Sequence, residues 1–120
     1  MNSAETGRIG ERAAANWLRR AGYELLETNW RYGHYEIDIV ARRWDELHVV
    51  EVKTRRAGSL TAPEAAMTAA KQRSLVQAAR IYAGWKRWPG EIRFDLAAVE
   101  LLPDGSAEVR FVPDAVQMHW

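Results

Sequence analysis

Apolar and polar positions recur along this chain with two different periods. From about Glu5 to Ala21 the apolar residues Ile9, Ala13, Trp17 and Ala21 return every four positions. Ala14 and Leu18 widen that stripe, while Glu5, Arg8, Arg12 and Arg19 gather opposite it as a solvated charged face. The spacing predicts an amphipathic helix. Gly22 suits the left-handed position that ends one. Glu11 is out of place: it precedes Ala14 by three and Leu18 by seven, at the margin of the apolar stripe. Such a carboxylate either reaches solvent or has a partner inside the fold.

The period then falls to two. Tyr23 to Asn29 is a weak strand. Tyr35 to Ala41 sets Tyr35, Ile37, Ile39 and Ala41 on one face and Glu36, Asp38 and Val40 on the other. Leu47 to Lys53 sets Leu47, Val49, Glu51 and Lys53 against His48, Val50 and Val52. The polar stretch Arg43-Trp44-Asp45-Glu46 predicts a hairpin connection between these two strands. With a four-residue loop Arg42 pairs with Leu47, and counting outward places Asp38 opposite Glu51, a register that one residue of slip would undo.

Ala57-Gly58-Ser59-Leu60 reads as a loop. Thr61 and Glu64 have the spacing of a capping box, with Pro63 tolerated in the first turn, so a second helix is expected from there to about Tyr82. Gly84 and Pro89-Gly90 end it. Strands follow at Ile92 to Leu101 and Ala107 to Val112, joined by the turn residues Pro103-Asp104-Gly105. The order αβββαββ predicts an α/β fold, a mixed central sheet flanked by helices, as one domain over residues 1–120.

Composition narrows the function classes. Hydrophobic residues make up 48% of the 120, enough for one core and far from the profile of a disordered chain. The absence of cysteine excludes a disulfide scaffold and a Cys-ligated zinc site. No apolar run approaches the ~20 residues of a membrane span. The opening Met-Asn-Ser-Ala-Glu-Thr-Gly-Arg lacks the apolar core of a signal peptide, so a cytoplasmic protein without a membrane partner is expected. The net charge of +1 conceals an asymmetry. Residues 1–52 carry −2 and residues 94–120 carry −4, whereas residues 53–93 hold nine basic side chains against two acids, a net of +7. That segment has the local field to attract a polyanion.

The sharpest chemical feature is Asp38 followed thirteen residues later by Glu51-Val52-Lys53. Two carboxylates converging across a strand pair repel unless a cation lies between them. Mg²⁺ or Mn²⁺ suits such oxygen ligands, and the backbone carbonyl of Val52 adds another candidate. Lys53, on the same face as Glu51, would orient or help deprotonate an attacking water and offset charge developing on a phosphorus centre. Glu11 is the candidate fourth acid. Arg55, Arg56, Lys71 and Arg73 are candidate contacts to a nucleic-acid backbone.

Each piece has a plainer explanation. A structural ion pair between Asp38 and Lys53 accounts for the Glu-x-Lys run alone, and a solvated helix face accounts for Lys71, Gln72 and Arg73. Glu36 is expected to pair with Arg31, and Asp95 with a neighbouring arginine. Trp17 belongs to the core of the first helix. Trp30, Trp44, Trp85 and Trp88 sit near basic residues, where they either stack unpaired bases or cap the core. His34, His48 and His119 show no metal spacing, and Met118-His119-Trp120 reads as a tail. One phosphodiesterase site would explain the acids, the lysine and the basic segment together.

Asp38 with Glu51-Val52-Lys53 resembles the Asp…Glu-x-Lys core of restriction-endonuclease-like nucleases. More closely, Gly10-Glu11, Asn29-Trp30-Arg31, Glu36-Ile37-Asp38, Val50-Glu51-Val52-Lys53-Thr54-Arg55, Lys71 and Arg93-Phe94-Asp95, in that order, resemble the small bacterial YraN family (UPF0102). That family is regarded as endonucleases distantly similar to archaeal Holliday junction resolvases. The likeness runs from about Gly7 to Val112. It implies a restriction-endonuclease-like fold and metal-dependent hydrolysis of DNA phosphodiesters, in branched or structured DNA. Asp38 and Glu51 would be metal ligands, Lys53 the catalytic lysine and Glu11 the helix acid. Nucleases of this kind often act as two-fold dimers, so a homodimer is an expected partner, although no segment declares an interface. The sequence departs from the family pattern at Tyr35, where a glycine usually precedes Glu-Ile-Asp. It also lacks the Gln-x-x-x-Tyr element of related nucleases, because Val76 follows Gln72 and Ile81 follows Gln77 at that spacing. The rival readings are a catalytically inactive nucleic-acid-binding module of the same fold, and an interaction protein whose acids merely pair with its arginines.

Overall fold

A three-stranded antiparallel meander forms the first half of the sheet, and a helical crossover delivers the rest. The computed structural model describes residues 2–116. Helix α1 (Ser3–Arg20) is followed by β1 (Glu24–Tyr32), β2 (Tyr35–Arg43) and β3 (Glu46–Arg56). A 3₁₀ turn (Pro63–Ala66) and helix α2 (Ala69–Lys86) lead to β4 (Ile92–Leu101) and β5 (Ala107–Val112). The sheet order is β1-β2-β3-β4-β5, antiparallel except for the parallel β3–β4 pair. A hairpin can join antiparallel neighbours, but the parallel pair needs the crossover that carries α2. This α/β architecture, a mixed sheet flanked by helices, is compatible with a restriction-endonuclease-like arrangement. Among the described residues no helix is long and apolar enough to cross a membrane. The tail at Met118-His119-Trp120 lies outside the described residues.

The two helices cover opposite faces. Leu18 and Ala14 of α1 pack with Ile39, Ala41, Val50 and Val99. On the other side Leu75, Ala79 and Tyr82 of α2 pack with Ile37, Val40, Val49 and Leu96. The strip of α1 that is most buried is Gly10, Ala14, Ala15 and Leu18, one position off the expected centre at Ile9, Ala13 and Trp17. The cause is close approach: a Cβ at Gly10 would run into the Thr54 side chain of β3, so only glycine lets α1 settle there. Glu11 is thereby carried inward. At its far end α1 closes in a Schellman arrangement: Gly22 (φ +94°) and Tyr23 donate to the Arg19 and Leu18 carbonyls.

Three expectations require correction. The Thr61/Glu64 capping box does not form, and the second helix does not start there. Glu64 is instead held by Arg110 in a two-pronged ion pair, and the 3₁₀ turn ends at Met67. The helix proper begins after Thr68, whose hydroxyl accepts from the Lys71 N–H. The β2–β3 loop is two residues, not four, because Arg43 pairs with Glu46, and Trp44 takes a left-handed φ of +56°. The Arg42↔Leu47 register is as counted. Finally, β2 does not keep one apolar face. Tyr35 and Ile37 pack toward α2, whereas Ile39 and Ala41 pack toward α1. Alternation reverses at Asp38, beside Asn29 of β1, whose φ of +53° breaks the regular pleat. The pairs Thr28↔Ile39 and Trp30↔Ile37 skip these two residues.

Candidate active site

The break in β2 decides where the acids lie. Released from regular pairing, Asp38 turns its carboxylate across to β3, and Oδ2 accepts from the Val52 N–H at 2.8 Å. The β2–β3 ladder closes at Ile39↔Val50, the register that sets Asp38 against Glu51. Glu51 is buried, 9% exposed. Its burial first, and then the charge and hydrogen bonding of Asp38, push its carboxyl up to about 8, against the pull of Lys71. The Lys71 ammonium, entering from the first turn of α2, lies 3.1 Å from Glu51 Oε2. For Lys71 burial opposes the charged form, but Glu51 and then Asp38 and Glu36 outweigh it, so its pKa is raised.

Glu11 approaches from the opposite face. Burial and then Asp38 raise its pKa, while a hydrogen bond with the Asn29 side chain lowers it. Asn29 thus both relaxes the strand and steadies the helix acid; its tolerance of positive φ was the legible sign of the first role. Lys53 is half-buried on the Glu51 side of β3, and no ion pair to it is recorded among the described residues. The expected alternative, an ion pair between Asp38 and Lys53, is absent from the described ion pairs.

Of the sequence candidates, Asp38, Glu51, Lys71 and Glu11 are brought into one electrostatic group, with Lys53 and the Val52 backbone adjoining it. Lys71 is therefore half-buried against Glu51 instead of standing on a fully solvated helix face. Arg56 and Arg73 are exposed, and Arg55 lines a separate groove of about 390 Å³ with Ser59, Thr61 and Arg110. Glu36 pairs with Arg31 at 3.2 Å as expected. Among the described residues Asp95 is paired with His48 and not with an arginine. It is 1% exposed, takes His48 Nδ1 at 2.7 Å and accepts from the Asp114 N–H at 3.1 Å. Both partners are remote in sequence, which is why a local reading chose the nearby Arg93. Trp17 stacks on Phe111 and Trp30 packs against Tyr82, while Trp44 and Trp85 are exposed.

Among the described residues no group of three or more His, Cys, Asp or Glu side chains converges as a self-sufficient metal cage. Two carboxylates suffice for a hard divalent ion that keeps waters and substrate oxygens in its shell. The donor set fits that chemistry: Asp38 and Glu51 are forced together, and Glu51 resists ionisation first because it is buried and then because Asp38 stands beside it.

Comparison with known proteins finds relatives of this chain. A family model described as "Uncharacterised protein family UPF0102" matches residues 10–99. A UPF0102 protein of Porphyromonas gingivalis is 43% identical over 104 residues, covering 87% of this chain and 77% of the relative. One from Symbiobacterium thermophilum is 41% identical over 114 residues, covering 94% and 97%. Another, from Syntrophus aciditrophicus, is 39% identical over 114 residues, covering 94% and 89%.

Proposed function

The chain belongs to the UPF0102 family, and from that premise we propose that it is a divalent-metal-dependent endonuclease that hydrolyses phosphodiester bonds in branched or otherwise structured DNA of the cytoplasm. The observation that carries the reading is the forced pairing of Asp38 with buried Glu51, whose carboxyl stands at about 8, next to Lys53. A protein gains nothing in stability from two converging carboxylates, and such perturbed groups concentrate at functional sites.

Asp38 and Glu51 would hold Mg²⁺ or Mn²⁺, with the Val52 carbonyl as a further oxygen. When bound, the ion supplies Lewis-acid polarisation of the phosphate and a more acidic water. Lys53 would hold that water through its ammonium and offset charge on the phosphorus oxygens. Water oxygen bonds to phosphorus and gives up one of its protons, the bond to one deoxyribose oxygen breaks, and that oxygen takes up a proton, so that protons balance overall. Lys71 would neutralise Glu51 while no metal is present and be released toward the substrate when one is. Glu11, hydrogen-bonded to the Asn29 side chain and close enough to feel the charge of Asp38, would be the fourth acid and a further ligand for the ion.

One observation favours the second reading, a nucleic-acid-binding module without turnover. Glu51 already has a cationic partner in Lys71, and Asp38 a donor in Val52. A cleavage assay separates the two. Labelled single strand, duplex, flap and four-way junction are incubated with Mn²⁺ or EDTA, wild type beside Lys53→Ala. Metal-dependent cutting by wild type that is lost in the variant supports the enzyme. Equal inertness of both on every substrate, with DNA binding retained, supports the module.

A further inference from the structure

We propose that Arg8, Arg12 and Arg19 of α1 form the track that grips the DNA backbone and leads a phosphate to Asp38, an assignment that rests on the nucleic-acid reading above. A groove of about 290 Å³ separates α1 from the β1–β2 pair. Its α1 wall presents these three arginines with Glu11 among them, and Asn29 of β1 and Asp38 of β2 line the facing wall. Arg8, Arg12 and Arg19 lie at spacings of four and seven, so they fall along one side of the helix over roughly 16 Å of its length.

All three are exposed, and no ion pair to any of them is recorded among the described residues; Arg19 donates only to Asn16. Arg31, Arg42, Arg93 and Arg110 are each matched with a carboxylate. Long cationic side chains left unpaired along a groove that contains two acids of the site are complementary to a chain of phosphates. Guanidinium forks take phosphate oxygens two at a time. The acids of the groove, Glu11 and Asp38, would repel the same phosphates without a cation there, so the arginines hold the backbone while the acids wait for the metal.

The assignment also explains why the +7 segment need not be the binding surface. Lys71 belongs to Glu51, and Arg56 and Arg73 do not line this groove. Arg20 provides an internal control: it is an exposed arginine of the same helix that is absent from the groove.

The test is the salt dependence of binding to a labelled short duplex and to a four-way junction, in EDTA so that nothing is cut. Wild type is compared with Arg8→Gln, Arg12→Gln, Arg19→Gln, the triple variant and Arg20→Gln. Each phosphate no longer gripped should lower the slope of log K against log salt by about 0.9, so the triple variant should fall by about 2 to 3. Arg20→Gln should leave the slope near wild type. If the triple variant keeps the wild-type slope, or if Arg20→Gln lowers it as much as each groove variant, the track is overturned. Exposed Arg→Gln changes do not threaten folding, and circular dichroism of each variant checks this. A lowered slope in a protein that never cuts with Mn²⁺ would sink the endonuclease and leave the track standing. Normal cutting with an unchanged slope would do the reverse.

Discussion

The Lys71 ammonium of α2 and the Glu51 carboxylate of β3 meet at 3.1 Å, across the boundary between the helical crossover and the sheet. Lys71 is the cation that the buried acid pair has at hand. Lys71→Met keeps the aliphatic stem but removes the charge. In EDTA at pH 9 the variant should be about 1–3 kcal/mol less stable than wild type, because a buried charge is deprived of its partner. At pH 5, where Glu51 holds its proton in the folded protein, the difference should shrink to a few tenths. Urea unfolding at the two pH values measures both.

Glu51 itself makes stability depend on pH with a definite sign. Its ordinary pKa is 4.5 and in the fold it stands at about 8, so between those values the folded protein binds the extra proton. Stability in EDTA should therefore fall as pH rises from about 5 to about 8, by an amount of the order of a few kcal/mol. Glu11 contributes in the same direction. Glu51→Gln should flatten most of this slope. A divalent ion competes with that proton, so stabilisation by Mg²⁺ should grow with pH in the wild type and be absent in Glu51→Gln. Thermal melts across the range, with and without the ion, decide the matter.

Gly10→Ala sets two effects against each other. In an open helix the change would add about 1 kcal/mol of helix propensity. Here the new methyl meets Thr54, and overpacking costs about 1–3 kcal/mol. A net loss of up to about 2 kcal/mol is expected. Adding Thr54→Ala should recover only part of it, since the Thr54 Cβ would still lie 2.8 Å away. Because Glu11 follows Gly10 directly, metal affinity should fall with stability in the single variant.

Asp95 has two buried obligations, to His48 and to the Asp114 N–H. Asp95→Ala strips the partner from both the His48 Nδ1 and that N–H, and should cost about 2–4 kcal/mol. Asp95→Asn retains an acceptor oxygen for Asp114 and should cost about half as much. Denaturant midpoints for the two variants rank them directly.

What could be read ahead of the structure was whatever local pattern decides. Strands β4 and β5 coincide with the expected spans because Pro89-Gly90 and Pro103-Asp104-Gly105 leave the chain few alternatives there. Counting from the β2–β3 hairpin set Asp38 against Glu51, since a register is inherited along a ladder even when the turn length is misjudged. Two misreadings involve partners distant in sequence. Arg110 draws Glu64 away from capping a helix, and His48 takes Asp95. The face reversal at Asp38 follows from one left-handed residue on the neighbouring strand, which period-two counting cannot register. The groove arginines looked like an ordinary solvated face because nothing on α1 itself says that β1 and β2 run beside it.

The division of the sheet into a local meander and a late-arriving parallel partner bears on how the protein folds. Closing the two-residue turn at Trp44-Asp45 costs far less chain entropy than closing the crossover between β3 and β4. Asp38 and Glu51 both belong to the meander, whereas Lys71 rides on the crossover. In any partly folded species that keeps only the meander, the two acids are already neighbours and their cation has not yet docked. Refolding under alkaline conditions must then bring together two charged carboxylates, while mild acid presents the chain with one charge and one proton.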